Sequence, residues 1–293
     1  MSTVTLFELL SERERRAQKL ASLIFEHGLP VITFTLNLAG AEKRSPLSDF
    51  VFCAGEKALR EKLGNPLHYA LFDSPAGLCS FFIYNEHAAM LKNICMVLED
   101  GEAGRLFDFD VTNEHGAALS RSEPRRCLLC GRPAAECARS REHPLEQVLA
   151  KANDIMLKFA SKCLALGAHA ALIKEPDLTP KPGLVDKSNS GAHFDMDYSL
   201  FVKSAAALTP YFEHAVLMGA EGSGLPPLEA EGIAAEAAMF AATEGVNTHK
   251  GAIFLFMTLL CGIGAHFSGG GDPFSAAAAL AAAKLARQAG KRC

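Results

Sequence analysis

After residue 175 the chain shows no strand pattern, and this limits its fold more than any other feature. The sequence there is alanine-rich and helical in spacing, so it can bury its apolar surface only helix against helix. Helices are expected near 145–168, 197–218, 228–243, 249–266 and 274–289. The turn-forming runs TPKPG, EGSGLPP and SGGGDP punctuate them. The final stretch, SAAAALAAAKLARQAGKRC, is low in complexity but strong in helix propensity. The first half differs. LPVITFTLN (29–37) and LCSFFIYN (78–85) are short and rich in β-branched or aromatic residues, as strands are. LLSERERRAQKLASLIFEHG (9–28) has helical spacing and a glycine stop, and NEHAAMLKNICMVLED (85–100) also reads as helix. Composition changes near residue 145, so two domains are expected: an α/β domain over 1–146 and an all-α helical domain over 147–293.

The bulk properties narrow the function. With a formal net charge of -4, no broad basic field points to nucleic acid. The N-terminus, MSTVTLFELLSERERRAQKL, has charges soon after its first apolar residues, unlike a signal peptide. GAIFLFMTLLCGIGAHFSGGG comes nearest to a membrane span, but glycines break it and a buried helix is the better reading. Nine cysteines, an odd number, suggest reduced thiols and a cytoplasmic protein.

One strand carries chemistry. In RLFDFDVT (105–112), Phe107, Phe109 and Val111 share one face, and Leu106, Asp108 and Asp110 the other. Two carboxylates on one face repel unless a cation lies between them. Magnesium tolerates carboxylates together with substrate phosphates, as nucleotidyl transfer requires. The alternative is a solvated polar face. NLAGAEKRSP (37–46) offers a glycine turn and Lys43 or Arg44 for phosphate. Arg105 enters the aspartate strand, and Arg125, Arg126, Arg139 and Arg141 follow it, suiting polyphosphate or simply solvent. The same block, RRCLLCGRPAAECARSREH, contains Cys127, Cys130, Cys137 and His143 spaced C-x2-C-x6-C-x5-H. These four could form a tetrahedral Cys3His zinc site, or remain free thiols.

FTLNLAGAEKRSP, GRLFDFDV and RRCLLCGRPAAECARSREH together resemble the citrate lyase holo-acyl-carrier-protein synthase family, the phosphoribosyl-dephospho-CoA transferases, over roughly residues 5–150. The resemblance implies a nucleotidyltransferase-like fold. It also implies a reaction in which a serine of the lyase's acyl carrier subunit attacks the α-phosphate of triphosphoribosyl-dephospho-CoA and releases pyrophosphate. Asp108 and Asp110 would then hold Mg2+, with Lys43, Arg105 and Arg126 on the substrate.

A second motif lies at TPKPGLVDKSNSGAHFDMD (179–197). Its prolines stop helix and stiffen the loop, and Gly183 and Gly191 permit close backbone approach. It brings Lys181, Asp186, His193, Asp195 and Asp197 together in sequence. Asp195 or Asp197 could simply cap the next helix. At ATEGVNTHKGAIFLF (241–255), Asn247 or Thr248 can cap a helix whose first turn carries His249 and Lys250. A cation at a helix N-terminus suits an anion site, although a lysine there can also just reach solvent.

TPKPGLVDKSNSGAHFDMD and GVNTHKGAIF look like the triphosphoribosyl-dephospho-CoA synthase family, from about residue 150 onward. That resemblance implies an all-helical domain joining ATP to 3′-dephospho-CoA with release of adenine. Asp195 and Asp197, with Asp186, would bind Mg2+. Lys181 and Lys250 would hold phosphates, and His193 or His249 would handle the proton. The loop and the THKG helix start would form two halves of one pocket. The family continues beyond the segment present here, so the helical domain looks truncated, and a homodimer could cover its apolar faces. The competing readings are a module that binds nucleotide or dephospho-CoA, or docks the carrier, without synthase turnover, and a zinc-stabilised interaction protein.

Overall fold

A computed structural model describes residues 4–121 and 123–290. The chain divides into two compact units, Met1–Phe159 and Ala160–Cys293.

The first unit is built on a four-stranded, wholly antiparallel sheet. Its strands are β1 (Val31–Leu36), β2 (His68–Phe72), β3 (Cys79–Ile83) and β4 (Phe107–Thr112), in the order β2-β3-β1-β4. The helices are α1 (Leu6–His27), α2 (Pro46–Leu63), α3 (Ala88–Glu99) and the short α4 (Ala134–Ser140). Helix α1 begins with a Thr5/Glu8 capping box and ends on Gly28, whose φ of 61° only glycine adopts freely. Helix α2 and strand β2 are additions to the expected elements. The start of α2 is nevertheless written in Ser45-Pro46, a side-chain cap followed by proline in the first turn. Strand β2 is less legible because it is an outer strand with Tyr69 and Leu71 exposed. Leu106 is not on the aspartate strand: it closes a 3-10 turn, Gly104–Leu106, and is fully buried.

Each sheet face has its own cover. On one, Phe34 stacks on Phe52 of α2 and on Phe109 of β4, with ring centroids 4.8 and 4.2 Å apart. On the other, Leu20, Leu23 and Ile24 of α1 pack over Val31, Cys79, Phe81 and Ile83. Burying side chains of this size contributes about 1.5–3 kcal/mol each.

The second unit is helical. It contains the later part of α5 (Leu145–Asp177), then α6 (Tyr198–Ala220), α7 (Leu225–Ala242), α8 (Lys250–Gly269) and α9 (Pro273–Gly290). Helices α5 and α8 are long and apolar enough to cross a membrane by length and composition alone. In α8 that apolarity is used in packing: Ile253, Met257, Leu260, Cys261 and Phe267 are buried. Helices α6 and α8 approach through glycine. A Cβ on Gly264 would fall on the Val216 carbonyl oxygen, and one on Gly219 on the Cys261 carbonyl oxygen. The chain is thus a mixed α/β unit followed by a helical one.

Candidate active sites

Strand β4 alternates as its pattern predicts. Phe107, Phe109 and Val111 are buried, Asp108 is half-buried and Asp110 is exposed. The register sets Asp108 opposite Thr35 and Asp110 opposite Thr33, so both carboxylates leave the same sheet face. They lie outside the apolar cluster with which α1 covers that face. The surrounding protein raises the proton affinity of Asp110, and the Asp108 charge raises it further. Across the ladder from Asp110, Thr33 Oγ1 is buried without a hydrogen bond. Two repelling carboxylates beside an unpaired hydroxyl suit a hard divalent cation.

Asp108 is held by Arg125 at 2.8 Å. The same Arg125 nitrogen lies 2.6 Å from Glu99, which is 1% exposed. Glu99 also accepts from Arg121 and from the Phe109 backbone N–H, each at 2.8 Å, and Lys92 donates to the Phe109 carbonyl at 3.2 Å. Side chains of α3 thereby satisfy the backbone N–H and carbonyl of Phe109 on the free edge of β4. The sequence signal for this was a lysine and a glutamate seven residues apart, two turns along the same face of an apolar helix.

A cleft of about 280 Å³ opens beside Asp108, lined by Asn37, Lys43 and Ser48 and by Arg13 and Arg16 of α1. Lys43 donates to the Leu38 carbonyl. Burial lowers its proton affinity, and repulsion from Arg13 lowers it further. Arg16 donates to the Gly77 carbonyl at 2.8 Å, while Arg13 has no ion-pair partner among the described residues. Glu12 and Asp49 also line the cleft, Glu12 pairing with Arg16 at 3.4 Å and Asp49 with Arg44, which leaves Arg13 and Lys43 as the lining cations without a carboxylate partner among the described residues. Arg13 and Arg16 escaped the sequence reading because charged residues on an amphipathic helix ordinarily face solvent. Arg44 is instead paired with Asp49 at 2.7 Å and with Asp73.

Arg105 belongs to a neighbouring cavity of about 570 Å³, with Asn37, Cys127, Cys137, Arg141 and His143. Burial lowers its proton affinity, as do Arg125 and Arg121. Arg126 is exposed and donates to the Gly131 carbonyl at 3.3 Å, lining neither cavity. The ligand atoms of Cys127, Cys130, Cys137 and His143 all lie within 4.8 Å of one another. Hydrogen bonding from Arg132 draws the Cys130 thiol down to about 6, and burial pushes Cys137 up to about 11.

In the second unit a cavity of about 450 Å³ is lined by Lys181 and His193 of the proline-glycine loop and by Thr248 and His249 at the start of α8. Glu175, Phe201 and Phe256 are also in its wall. The loop reaches this shape through glycine: Gly183 and Gly191 both have positive φ, and a Cβ on Gly191 would strike the Gly183–Leu184 backbone. His249 is buried, bonds Ser204 Oγ through Nδ1 at 2.8 Å and is pushed down to about 4 by burial. Thr248 Oγ1 faces this region buried and without a hydrogen bond. Lys181 pairs with the Glu175 carboxylate.

Other expected residues have different roles. Asp186 is 2% exposed and staples the loop, accepting from the N–H groups of Ser188 (2.7 Å), Asn189 (2.9 Å) and Lys181 (3.1 Å). These hydrogen bonds hold its carboxyl below the usual range. Asp197 caps α6, accepting from the Leu200 N–H at 3.0 Å. Asp195 faces solvent, with an oxygen 4.0 Å from His193 Nδ1. None of the three lines the cavity, so the expected aspartate trio does not converge there. Lys250 turns to Glu236 of α7 at 2.6 Å and lines a different cleft. Its backbone N–H is capped by Asn247.

Comparison with known proteins agrees with the division. Residues 4–159 match the family model of apo-citrate lyase phosphoribosyl-dephospho-CoA transferase (CitX). Residues 161–292 match that of ATP:dephospho-CoA triphosphoribosyl transferase (CitG). A relative named Protein CitXG from Haemophilus influenzae is 36% identical over 280 residues, covering 90% of this chain and 60% of the relative. Another of that name from Leuconostoc mesenteroides subsp. cremoris is 35% identical over 277 residues, covering 86% and 59%. A 2-(5''-triphosphoribosyl)-3'-dephosphocoenzyme-A synthase from Haemophilus ducreyi is 46% identical over 147 residues, covering 48% of this chain and 46% of the relative. The chain thus spans about three-fifths of the length of the two CitXG relatives. With its first half matched throughout by one family model and its second by the other, the chain belongs to the apo-citrate lyase phosphoribosyl-dephospho-CoA transferase family, with a CitG-family segment joined in tandem.

Proposed function

We propose that the first unit is a nucleotidyltransferase that attaches a phosphoribosyl-dephospho-CoA group to a serine of the citrate lyase acyl carrier subunit. A serine oxygen–phosphorus bond forms at the α-phosphate of triphosphoribosyl-dephospho-CoA, and pyrophosphate leaves. The reading rests on one juxtaposition: Asp108 at the wall of a cleft lined also by Arg13, Arg16 and Lys43, with Glu12 and Asp49 there already paired to Arg16 and Arg44. Asp108 and Asp110 would hold Mg2+, which would neutralise charge on the triphosphate when bound. Arg13, Arg16 and Lys43 would bind the phosphates and orient the leaving pyrophosphate. Arg125, anchored on Glu99, would fix the Asp108 carboxylate.

The test supplies the triphosphoribosyl compound, Mg2+ and apo-carrier to the full chain and reads the intact mass of the carrier. The expected gain is one phosphoribosyl-dephospho-CoA group, reduced at least about 100-fold by Asp108→Asn. No gain with the unsubstituted chain overturns the reading.

For the second unit we propose binding of ATP and 3′-dephospho-CoA in the Lys181–His249 cavity. A dephospho-CoA ribose hydroxyl would attack the anomeric carbon of the ATP ribose, and adenine would leave. The burial of His249 suits a neutral, orienting hydrogen-bond partner, whereas half-exposed His193 is the better placed to exchange a proton. A second reading is binding without turnover. It is favoured by one observation: Glu175 is the only carboxylate among the described residues lining the cavity, and it is paired with Lys181. Adenine released from ATP, dephospho-CoA and Mg2+ supports turnover. Nucleotide binding with no adenine supports the second reading.

A further inference from the structure

The cysteine block has no part in either reaction proposed above, yet its geometry is specific. Cys127 and Cys130 sit on one turn, closed by the Cys127 N–H donating to the Arg132 carbonyl at 2.6 Å. Cys137 comes from α4, and His143 follows the left-handed residue Arg141 that ends that helix. Three sequence-separated pieces therefore place four soft ligand atoms within 4.8 Å of one another. Tetrahedral zinc, with bonds of about 2.3 Å to sulfur and 2.0–2.1 Å to nitrogen, sets its ligand atoms roughly 3.5–3.8 Å apart. The Cys130 and Cys137 sulfurs, at 3.4 Å, are close to that spacing and well beyond a disulfide bond of about 2.05 Å.

A second observation points the same way. His143 Nε2 is buried and makes no hydrogen bond. A buried imidazole nitrogen without a partner is costly unless something else ligates it. Leu129 N–H donates to Cys127 Sγ at 3.5 Å, the kind of outer contact that orients a thiolate ligand. Three thiolates with Zn2+ carry a net negative charge, which Arg105 and Arg141 of the same cavity and Arg132, hydrogen-bonded to Cys130, offset.

We propose that Cys127, Cys130, Cys137 and His143 bind one structural Zn2+, a clasp that fixes the segment carrying Arg125 against Asp108 and Glu99. Three thiolates and an imidazole select zinc over magnesium. A full set of four protein ligands leaves no open position for catalysis. Arg125 lies two residues before the first ligand, so the clasp determines where its guanidinium can reach.

The full chain, prepared without a histidine tag or chelator, should contain about one equivalent of zinc by mass spectrometry of metals. Cobalt exchanged into it should give a thiolate charge-transfer band and tetrahedral visible bands. Cys130→Ser and His143→Gln should each lower zinc affinity by more than about 100-fold, beyond the loss of an outer contact. Chelation should lower the melting temperature of the unsubstituted chain, and added zinc should restore it. Less than about half an equivalent of zinc, together with an octahedral cobalt spectrum, would overturn the site. A Cys130–Cys137 disulfide in the purified chain would overturn it too. An unchanged melting temperature after complete zinc removal would sink the clasp. None of these measurements requires transferase activity, so they stand apart from a failure of the proposed reaction.

Discussion

Alanine placed at two glycines of the helical unit should act with opposite sign. Gly232, inside α7, has nothing within 4 Å of an added Cβ. Gly264, inside α8, would place its Cβ on the Val216 carbonyl oxygen, with the Ala220 nitrogen 2.9 Å away. Both substitutions gain the same helix propensity, about 1 kcal/mol. Gly232→Ala keeps that gain. Gly264→Ala must push α6 and α8 apart, because a backbone carbonyl, unlike a side-chain end, cannot rotate away. Overpacking costs about 1–3 kcal/mol, and a rigid backbone contact belongs at the upper end. The net is a loss of about 2 kcal/mol, so the two variants should differ by about 3 kcal/mol. At roughly 3 °C per kcal/mol, their melting temperatures should lie about 9 °C apart, Gly232→Ala above the unsubstituted chain and Gly264→Ala below it. Thermal melts followed by far-ultraviolet circular dichroism read this directly. If Gly264→Ala melts with or above Gly232→Ala, α6 and α8 do not meet through their backbones, and the packing described for this unit is wrong.

Two more predictions concern the helical unit. His249, pushed down to about 4 by burial, stays neutral in the fold while the unfolded chain takes up a proton near pH 6.5. The unfolded state therefore binds more protons between these values, and stability should fall as pH drops from 6.5 to 4, by about 3 kcal/mol. His249→Gln should flatten that dependence in denaturant titrations at a series of pH values; an unchanged slope would assign it elsewhere. Asp197→Ala should cost about 1 kcal/mol through the lost α6 cap, whereas Asp197→Ser should retain most of it. Loss of ATP binding by the serine variant at unchanged stability would return Asp197 to the ligand site.

What the sequence determined by itself was whatever depends on near neighbours. Alternation in FDFDVT was enough to set Asp108 and Asp110 on one strand face, because side-chain direction follows from a period of two. Helical spacing with glycine and proline stops located α6 to α9 of the second unit to within about three residues, since cap and turn chemistry is local, whereas α5 runs on to Asp177, past the expected end at 168. Tertiary structure decided which polar groups meet. Lys181, His193 and His249 share a cavity, as the two motifs suggested. Asp186 and Asp197 are instead consumed by backbone N–H groups, and Lys250 by Glu236. Arg13 and Arg16 enter the aspartate cleft from a helix whose sequence reads as solvated. The physical reason is that a carboxylate or guanidinium takes whichever partner desolvation and reach allow, and those partners come from elements far apart in the chain.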